Sequence, residues 1–307
     1  NCRYSTIAME EKKVEFYSRE CKLAGVLYLP AKVEEHTAGI VLCQGYTGTK
    51  EMFLPLLSQA FCEAGYACLI FDYRGWGESE GEKGCLFPQE QVEDIRNALT
   101  FLSIQEVVDP ERLGLYGTSF GGANAITVAS MDGRVKCLVA CLPIGNGGRW
   151  LRSLRRLWEW REFLQLIDDD RRNRIRGGKS RRMSAFDVVP PEPSIKEAMD
   201  AVAKEGLYSF AEDEVSLESV EAIIEYSPQD VVAQISPRPI LFIHAGTDNL
   251  VSSEESEVLY ERAGEPKKLV IIPGATHVDF YLSDAFSQVT ALSLDWFRRY
   301  LPLDSGS

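Results

Sequence analysis

The segment Leu115-Tyr116-Gly117-Thr118-Ser119-Phe120-Gly121 constrains this chain more than any other, because an apolar run ends in Gly-x-Ser-x-Gly and opens into a helical pattern. Arg112 to Tyr116 alternates as a strand does, and Gly122 to Ala129 supplies small residues and then an apolar face. Ser119 therefore falls at a tight strand-to-helix turn, the setting in which a serine becomes a nucleophile. Such a turn strains the backbone of its central residue. The residues two positions to either side, Gly117 and Gly121, must lack a Cβ so that strand and helix can pass closely. In other contexts Gly-x-Ser-x-Gly is common in glycine-rich loops; the strand on one side and the helix on the other give it meaning here.

The rest of the chain repeats the same alternation. Residues 13–18 and 24–29 read as an edge hairpin, followed by a strand from Gly39 to Gln44 and a helix from about Glu51 to Ala64. Further strands are predicted at Tyr66–Phe71, Arg112–Tyr116, Val135–Leu142, Pro239–His244 and Lys268–Ile272, mostly short continuous Val/Ile/Leu runs. Such runs mark a parallel sheet covered by helices on both faces. Val92, Ile95, Ala98, Leu99 and Leu102 recur at helical spacing, as do Val289, Leu292, Trp296 and Phe297 in a last helix from about Ala285 to Tyr300. The rhythm fails between about Ile144 and Tyr226, where no strand signal interrupts. A helical cap over residues 145–226, inserted after the sixth strand into a core made of 1–144 and 227–307, is the expected domain organisation.

Charge is distributed unevenly. Across its 307 residues the chain carries a net −13, which opposes nucleic acid as a partner. From Arg149 to Arg182, however, eleven Arg and one Lys face five acids, a net of +7 that leaves −20 for the remainder. A solvated helix face paired with the acidic body, or with a second subunit in a homo-oligomer, is the favoured reading of this patch over an anionic substrate site. No apolar run approaches the ~18 residues that span a bilayer. Asn1 to Met9 lacks the apolar core of a secretory signal. The eight cysteines form no Cys-x-x-Cys, and Cys43, Cys68, Cys137 and Cys141 lie within apolar runs, so reduced interior thiols and a cytoplasmic protein without a metal site are expected.

A serine hydroxyl needs a general base, and the base needs a carboxylate to fix its tautomer. Of the three histidines, His36 precedes the third strand and so sits at the wrong end of a parallel sheet. His244 closes a strand, and His277 follows the last one in Pro273-Gly274-Ala275-Thr276-His277. Position alone leaves both open. Ala245-Gly246-Thr247-Asp248 then places an acid in the loop after His244, where it can meet a histidine from the neighbouring strand's end. Asp248 and His277 are the better pair.

The order Ser119, Asp248, His277 on this strand pattern resembles the α/β-hydrolase fold over nearly the whole chain. Asp72-Tyr73-Arg74-Gly75-Trp76-Gly77-Glu78-Ser79 is similar to that family's D-x-R-G-x-G-x-S turn, to which a structural role is assigned. Gln44-Gly45-Tyr46-Thr47-Gly48-Thr49-Lys50 resembles its oxyanion loop, except that Gln44 stands where many relatives have His. More narrowly, Gly45 to Phe53 with Gly117 to Gly122 resembles the branch of dienelactone-hydrolase-like and YcjY-like esterases and fungal polyketide transferases. The resemblance implies backbone N–H groups of Tyr46 and Phe120 as oxyanion donors, no metal or organic cofactor, and a small-molecule acyl substrate. It leaves a serine esterase, an acyltransferase with the same triad, and a noncatalytic binding protein as readings in that order. In the expected cap, Trp150, Trp158, Trp160 and Phe163 are candidates to line an apolar pocket.

Overall fold

The computed structural model describes residues 9–31, 36–191 and 214–303. Eight strands form one sheet: β1 (Met9–Ser18), β2 (Cys21–Pro30), β3 (Thr37–Cys43), β4 (Ala67–Phe71), β5 (Val108–Thr118), β6 (Val135–Cys141), β9 (Ile240–Ala245) and β10 (Lys267–Ile272). Their order is β1-β2-β4-β3-β5-β6-β9-β10. β2 runs antiparallel to both β1 and β4, and every other neighbouring pair is parallel.

The central strands are apolar throughout because both faces are covered. In β3 every residue is buried. Val41 and Cys43 face one apolar cluster with α2 (Pro88–Ser103) and α3 (Phe120–Met131), while Ile40 and Leu42 face the other with α1 (Leu54–Glu63) and α10 (Asp284–Tyr300). Each large aliphatic side chain removed from water in this way contributes ~1.5–3 kcal/mol. On β1, nearest solvent, buried and exposed residues instead alternate towards its C-terminal end.

Between β6 and β9 lie α4 (Gly147–Ser153), α5 (Leu157–Ile175), β7 (Arg182–Ser184), α6 (Ala185–Val188), β8 (Glu214–Ser216) and α7 (Leu217–Glu225). The expectation of helices alone is corrected here: Arg182–Ser184 and Glu214–Ser216 pair antiparallel as a two-stranded ribbon. Strands of three residues, at the floor of strand length, leave no alternation to read. Residues 192–213, also within the expected insertion, lie outside the described residues.

The C-terminal ends of the parallel strands are stitched together by backbone hydrogen bonds. Ser119 N donates to Cys141 O, Leu142 N to Ile243 O, Gly246 N to Ile272 O and Thr247 N to Ala275 O, each at 2.8–2.9 Å. The loops that follow β5, β9 and β10 therefore open on one edge of the sheet. No helix among the described residues is long and apolar enough to cross a membrane.

Candidate active site

Ser119 occupies the turn between β5 and α3 with φ 54° and ψ −123°, a backbone region that side chains rarely adopt. The glycine requirement read from the motif is met sterically. A Cβ at Gly117 would lie 2.4 Å from Gly121 O, and one at Gly121 would lie 2.3 Å from the carbonyl oxygens of Cys43 and Gln44. Ser119 is 7% exposed, and its Oγ has no hydrogen-bond partner among the described residues. Such acid-base contacts are often long until substrate aligns them.

The loop after β3 stands against this serine: a Cβ at Gly45 would sit 3.2 Å from Ser119 Cβ. Gln44 builds that loop. Its Nε2 donates to Thr49 O at 3.0 Å and Met52 O at 2.6 Å, and its Oε1 accepts from Gly45 N at 2.8 Å. Gln44, which stands where the resemblance leads one to expect His, thus makes three hydrogen bonds of its own within the loop. Lys50 fixes the far side of the loop. Its backbone N donates to Asp72 Oδ1, and its Nζ lies 2.7 Å from Asp72, 2.7 Å from Glu51 and 2.5 Å from Glu78. Glu51, Asp72 and Glu78 form the sole cluster of metal-ligating type among the described residues, and the Lys50 ammonium sits among them. Burial pulls that ammonium down, but the carboxylates override it and raise its pKa above the ordinary lysine value. The Asp72 turn is therefore structural: it braces the loop that carries Tyr46.

The backbone N–H groups of Tyr46 and of Phe120, the first residue of α3, have no acceptor among the described residues. Two unclaimed amides flanking a buried serine are what an oxyanion requires. The Tyr46 ring packs edge-on to Trp150 with centroids 6.1 Å apart, its hydroxyl lies 3.5 Å from Ala185 O, and burial raises its pKa.

His277 and Asp248 meet as expected. His277 Nδ1 lies 2.7 Å from Asp248 Oδ2, the Asp248 side chain is fully buried, and its Oδ1 accepts the amides of Leu250 at 2.8 Å and Val251 at 2.9 Å. Burial opposes ionisation of Asp248, yet the charge and hydrogen bond of His277, with the Val251 amide, hold its pKa below the usual carboxylate value. The His277 loop is tied down by Thr276, whose N and Oγ1 both donate to Asp279 Oδ2. It is joined to the serine turn through α9 (Asp279–Leu282), where the Tyr281 hydroxyl is 2.6 Å from Thr118 Oγ1 and its ring 6.0 Å from that of His277.

The other histidines are occupied elsewhere. His36 Nδ1 lies 2.9 Å from Glu106 O at an exposed position preceding β3. His244 is fully buried with both ring nitrogens bonded, to Ser256 Oγ and to Val251 O.

The aromatic candidates divide. Trp150 is buried, stacks obliquely 6.0 Å from Phe120, and donates Nε1 to Leu250 O at 2.9 Å, so it joins the serine turn to the Asp248 loop. Trp160 and Phe163 pack on each other at 5.9 Å, with the Arg155 guanidinium 3.8 Å above Phe163. Trp158 stands apart from these rings, 55% exposed. Sequence reading missed Lys50, Tyr281 and the anchoring hydrogen bond of Trp150. Lys50 lies in a polar loop, and nothing local reveals that Asp72, 22 residues on, buries it.

A sequence model of the alpha/beta hydrolase fold family matches residues 40–284. The chain is 33% identical over 263 residues to an uncharacterized 31.7 kDa protein of the traX-finO intergenic region of Escherichia coli, covering 85% of this chain and 91% of that one. It is 28% identical over 296 residues, 94% of this chain and 95% of the other, to the quorum-quenching protein AidA of Acinetobacter baumannii. It is also similar to the polyketide transferase grgF of a Penicillium species, 26% identical over 269 residues, 85% of this chain and 88% of that protein. The crystal structure of GrgF superposes with a TM-score of 0.79 over 95% of this chain and 99% of that chain, at 25% identity.

Proposed function

Because the chain belongs to the alpha/beta hydrolase fold family, we propose that it cleaves a carboxylic ester or related acyl bond of a small apolar substrate through an acyl-enzyme on Ser119. The observation that carries this reading is the 2.7 Å pair of His277 and Asp248 on the same sheet edge as the strained Ser119. His277 Nε2 takes the proton from Ser119 Oγ as the oxygen attacks the acyl carbon, while Asp248 keeps the other proton on Nδ1. The N–H groups of Tyr46 and Phe120 donate to the oxyanion, worth ~10²–10³ in rate each. The tetrahedral adduct collapses as His277 returns the proton to the departing alkoxide. Water, deprotonated by His277, then releases the acid and restores Ser119.

The insertion at 145–226 acts in this reading as a cap, and Trp150, packed on the rings of Tyr46 and Phe120, supports an apolar acyl site beneath it. A fluorophosphonate probe tests the proposal directly: it should label the protein, and labelling should vanish in Ser119→Ala and His277→Ala. A wild-type protein that resists the probe and hydrolyses no member of an ester series of graded chain length would be a binding protein on this fold. Acyl transfer is the second reading, supported by the similarity to a polyketide transferase. Turnover with an added alcohol or amine acceptor separates the two, since a hydrolase still delivers free acid whereas a transferase diverts the acyl group.

A further inference from the structure

We propose that His244 is a positioning residue for Asp248: through Val251 and Ser256 it clamps the turn that aims the acid at His277. The inference rests on the roles of Asp248 and His277 just proposed. In the strand Ile240-Leu241-Phe242-Ile243-His244-Ala245, a single polar side chain interrupts a run of wholly buried apolar ones. Burying an imidazole this completely is unfavourable unless both nitrogens are satisfied.

They are satisfied in a way that fixes the tautomer. His244 Nε2 lies 2.9 Å from Val251 O, and a carbonyl only accepts, so Nε2 carries the hydrogen. Nδ1 is then the acceptor of the neutral ring and takes the hydroxyl hydrogen of Ser256, 2.6 Å away on α8 (Glu254–Arg262). Val251 is consequently held at both ends, its carbonyl by His244 and its amide by Asp248 Oδ1. With Trp150 holding the carbonyl of Leu250, the turn 248–251 is closed onto the end of β9 and onto α4.

The charge environment keeps the clamp neutral. Asp248 Oδ2 is 3.8 Å from His244 Nε2, and a protonated His244 would compete with His277 for that oxygen. Burial depresses the His244 pKa, with His277 acting in the same sense and Asp248 and the Val251 carbonyl opposing. The remaining charged group nearby, Glu255 on α8, is turned away to Arg149 and the amides of Gly145 and Asn146. Asp248 Oδ2 is left to His277.

The test is a double-mutant cycle on the full chain, with kcat and KM measured on an activated short-chain ester and expressed per site titrated by a fluorophosphonate. His244→Phe removes both polar contacts at similar volume and should lower kcat by about 10²-fold, the scale of a small misplacement of a catalytic group. KM should stay within about twofold, because ground-state binding is untouched. His244→Gln keeps a donor for Val251 O and should recover most of the loss. Ser256→Ala, a milder change that keeps the measurement possible if His244→Phe fails to fold, should fall between Gln and wild type. Combining either variant with Asp248→Asn should cost no more than Asp248→Asn alone, since His244 acts only through that carboxylate. Unchanged kcat per titrated site in both His244→Phe and Ser256→Ala would make His244 an ordinary core histidine, and losses that multiply with Asp248→Asn would make it independent of the acid. Persistent labelling of Ser119→Ala would instead overturn the parent reading of the site.

Discussion

Replacing Gln44 by Glu is a sharp probe of how this chain builds the loop proposed to hold the oxyanion, because it changes the chemistry of a single atom without changing volume. Gln44 is 5% exposed, donates to the carbonyls of Thr49 and Met52, and accepts from the Gly45 amide. An ionised Glu would direct a second acceptor at two carbonyls in a buried site, so the carboxyl stays protonated in the folded state. It then satisfies one carbonyl and orphans the other, at a cost of about 1–3 kcal/mol. Holding that proton raises the folded pKa above the ordinary ~4.3, and each pH unit between the two values adds ~1.4 kcal/mol of destabilisation. The sign follows from linkage: above pH ~4.3 the unfolded variant releases a proton that the folded one retains, so its stability relative to wild type falls as pH rises. Urea unfolding at pH 5 and pH 7 should show the deficit widening by about 2–3 kcal/mol. Relative kcat should drop by up to ~10²–10³, the value of one oxyanion donor, as the Tyr46 amide shifts. The same deficit at both pH values, together with wild-type kcat, would refute the role given to Gln44.

Asp248→Asn leaves the geometry near His277 but offers an amide in place of a carboxylate, and kcat should fall by about 10⁴-fold. Because the Asp248 pKa is depressed on folding, its stabilisation is present above its unfolded value and is lost as pH falls through the folded one. Acid unfolding of the Asn variant should therefore show a shallower low-pH limb. Lys50→Met strips the ammonium from the fully buried Asp72 and should cost ~3–5 kcal/mol in denaturant unfolding, with Lys50→Met/Asp72→Asn recovering much of it. Gly121→Ala drives a methyl to within 2.3 Å of two carbonyl oxygens, so soluble yield and fluorophosphonate labelling should both collapse, whereas alanine at Gly133, which meets nothing within 4 Å, should leave both unchanged.

The sheet was legible because the central strands are buried on both faces and so carry continuous apolar runs bounded by turns. The ends of elements were less so: β5 begins at Val108 rather than Arg112, since Asp109, Pro110 and Glu111 extend the strand with no apolar signal. Ser119 was legible because its backbone requires glycines at fixed offsets, a constraint written locally. Asp248 and His277 followed from chain order at strand ends, which topology preserves. What could not be read was polar bracing. Lys50 and Trp150 satisfy groups 22 and 100 residues away, while Gln44 and His244 satisfy groups of the segments that follow them once these fold back, and in sequence the four look like a surface lysine, a cap aromatic, a loop amide and a strand-end histidine.

The basic stretch of the insertion shows how charge counted along a chain misleads about charge in space. Arg149 forms a two-pronged pair with Glu255, Arg174 reaches Asp170, Glu218 and Glu221, Arg171 reaches Glu221, and Arg172 reaches Asp168. Asp168 and Asp170 are already counted in the net +7 of Arg149 to Arg182, and Glu218, Glu221 and Glu255 from outside the stretch bring it to +4. Arg155 differs: its guanidinium donates to the carbonyls of Leu151, Asp187 and Val188 while covering Phe163, so it acts as a strap between α4 and α6. An anionic acceptor or substrate approaching Arg149, Arg155, Arg171, Arg172 or Arg174 would have to displace an existing ion pair or main-chain contact, each of which offsets most of what the new contact contributes. Apolar contact near Trp150 carries no such penalty. Selectivity between acyl groups should therefore follow chain length and shape more steeply than charge, and adding a terminal carboxylate to an otherwise good ester should lower kcat/KM at pH 7. A carboxylated ester that outperforms its neutral parent would return the arginines to the binding site.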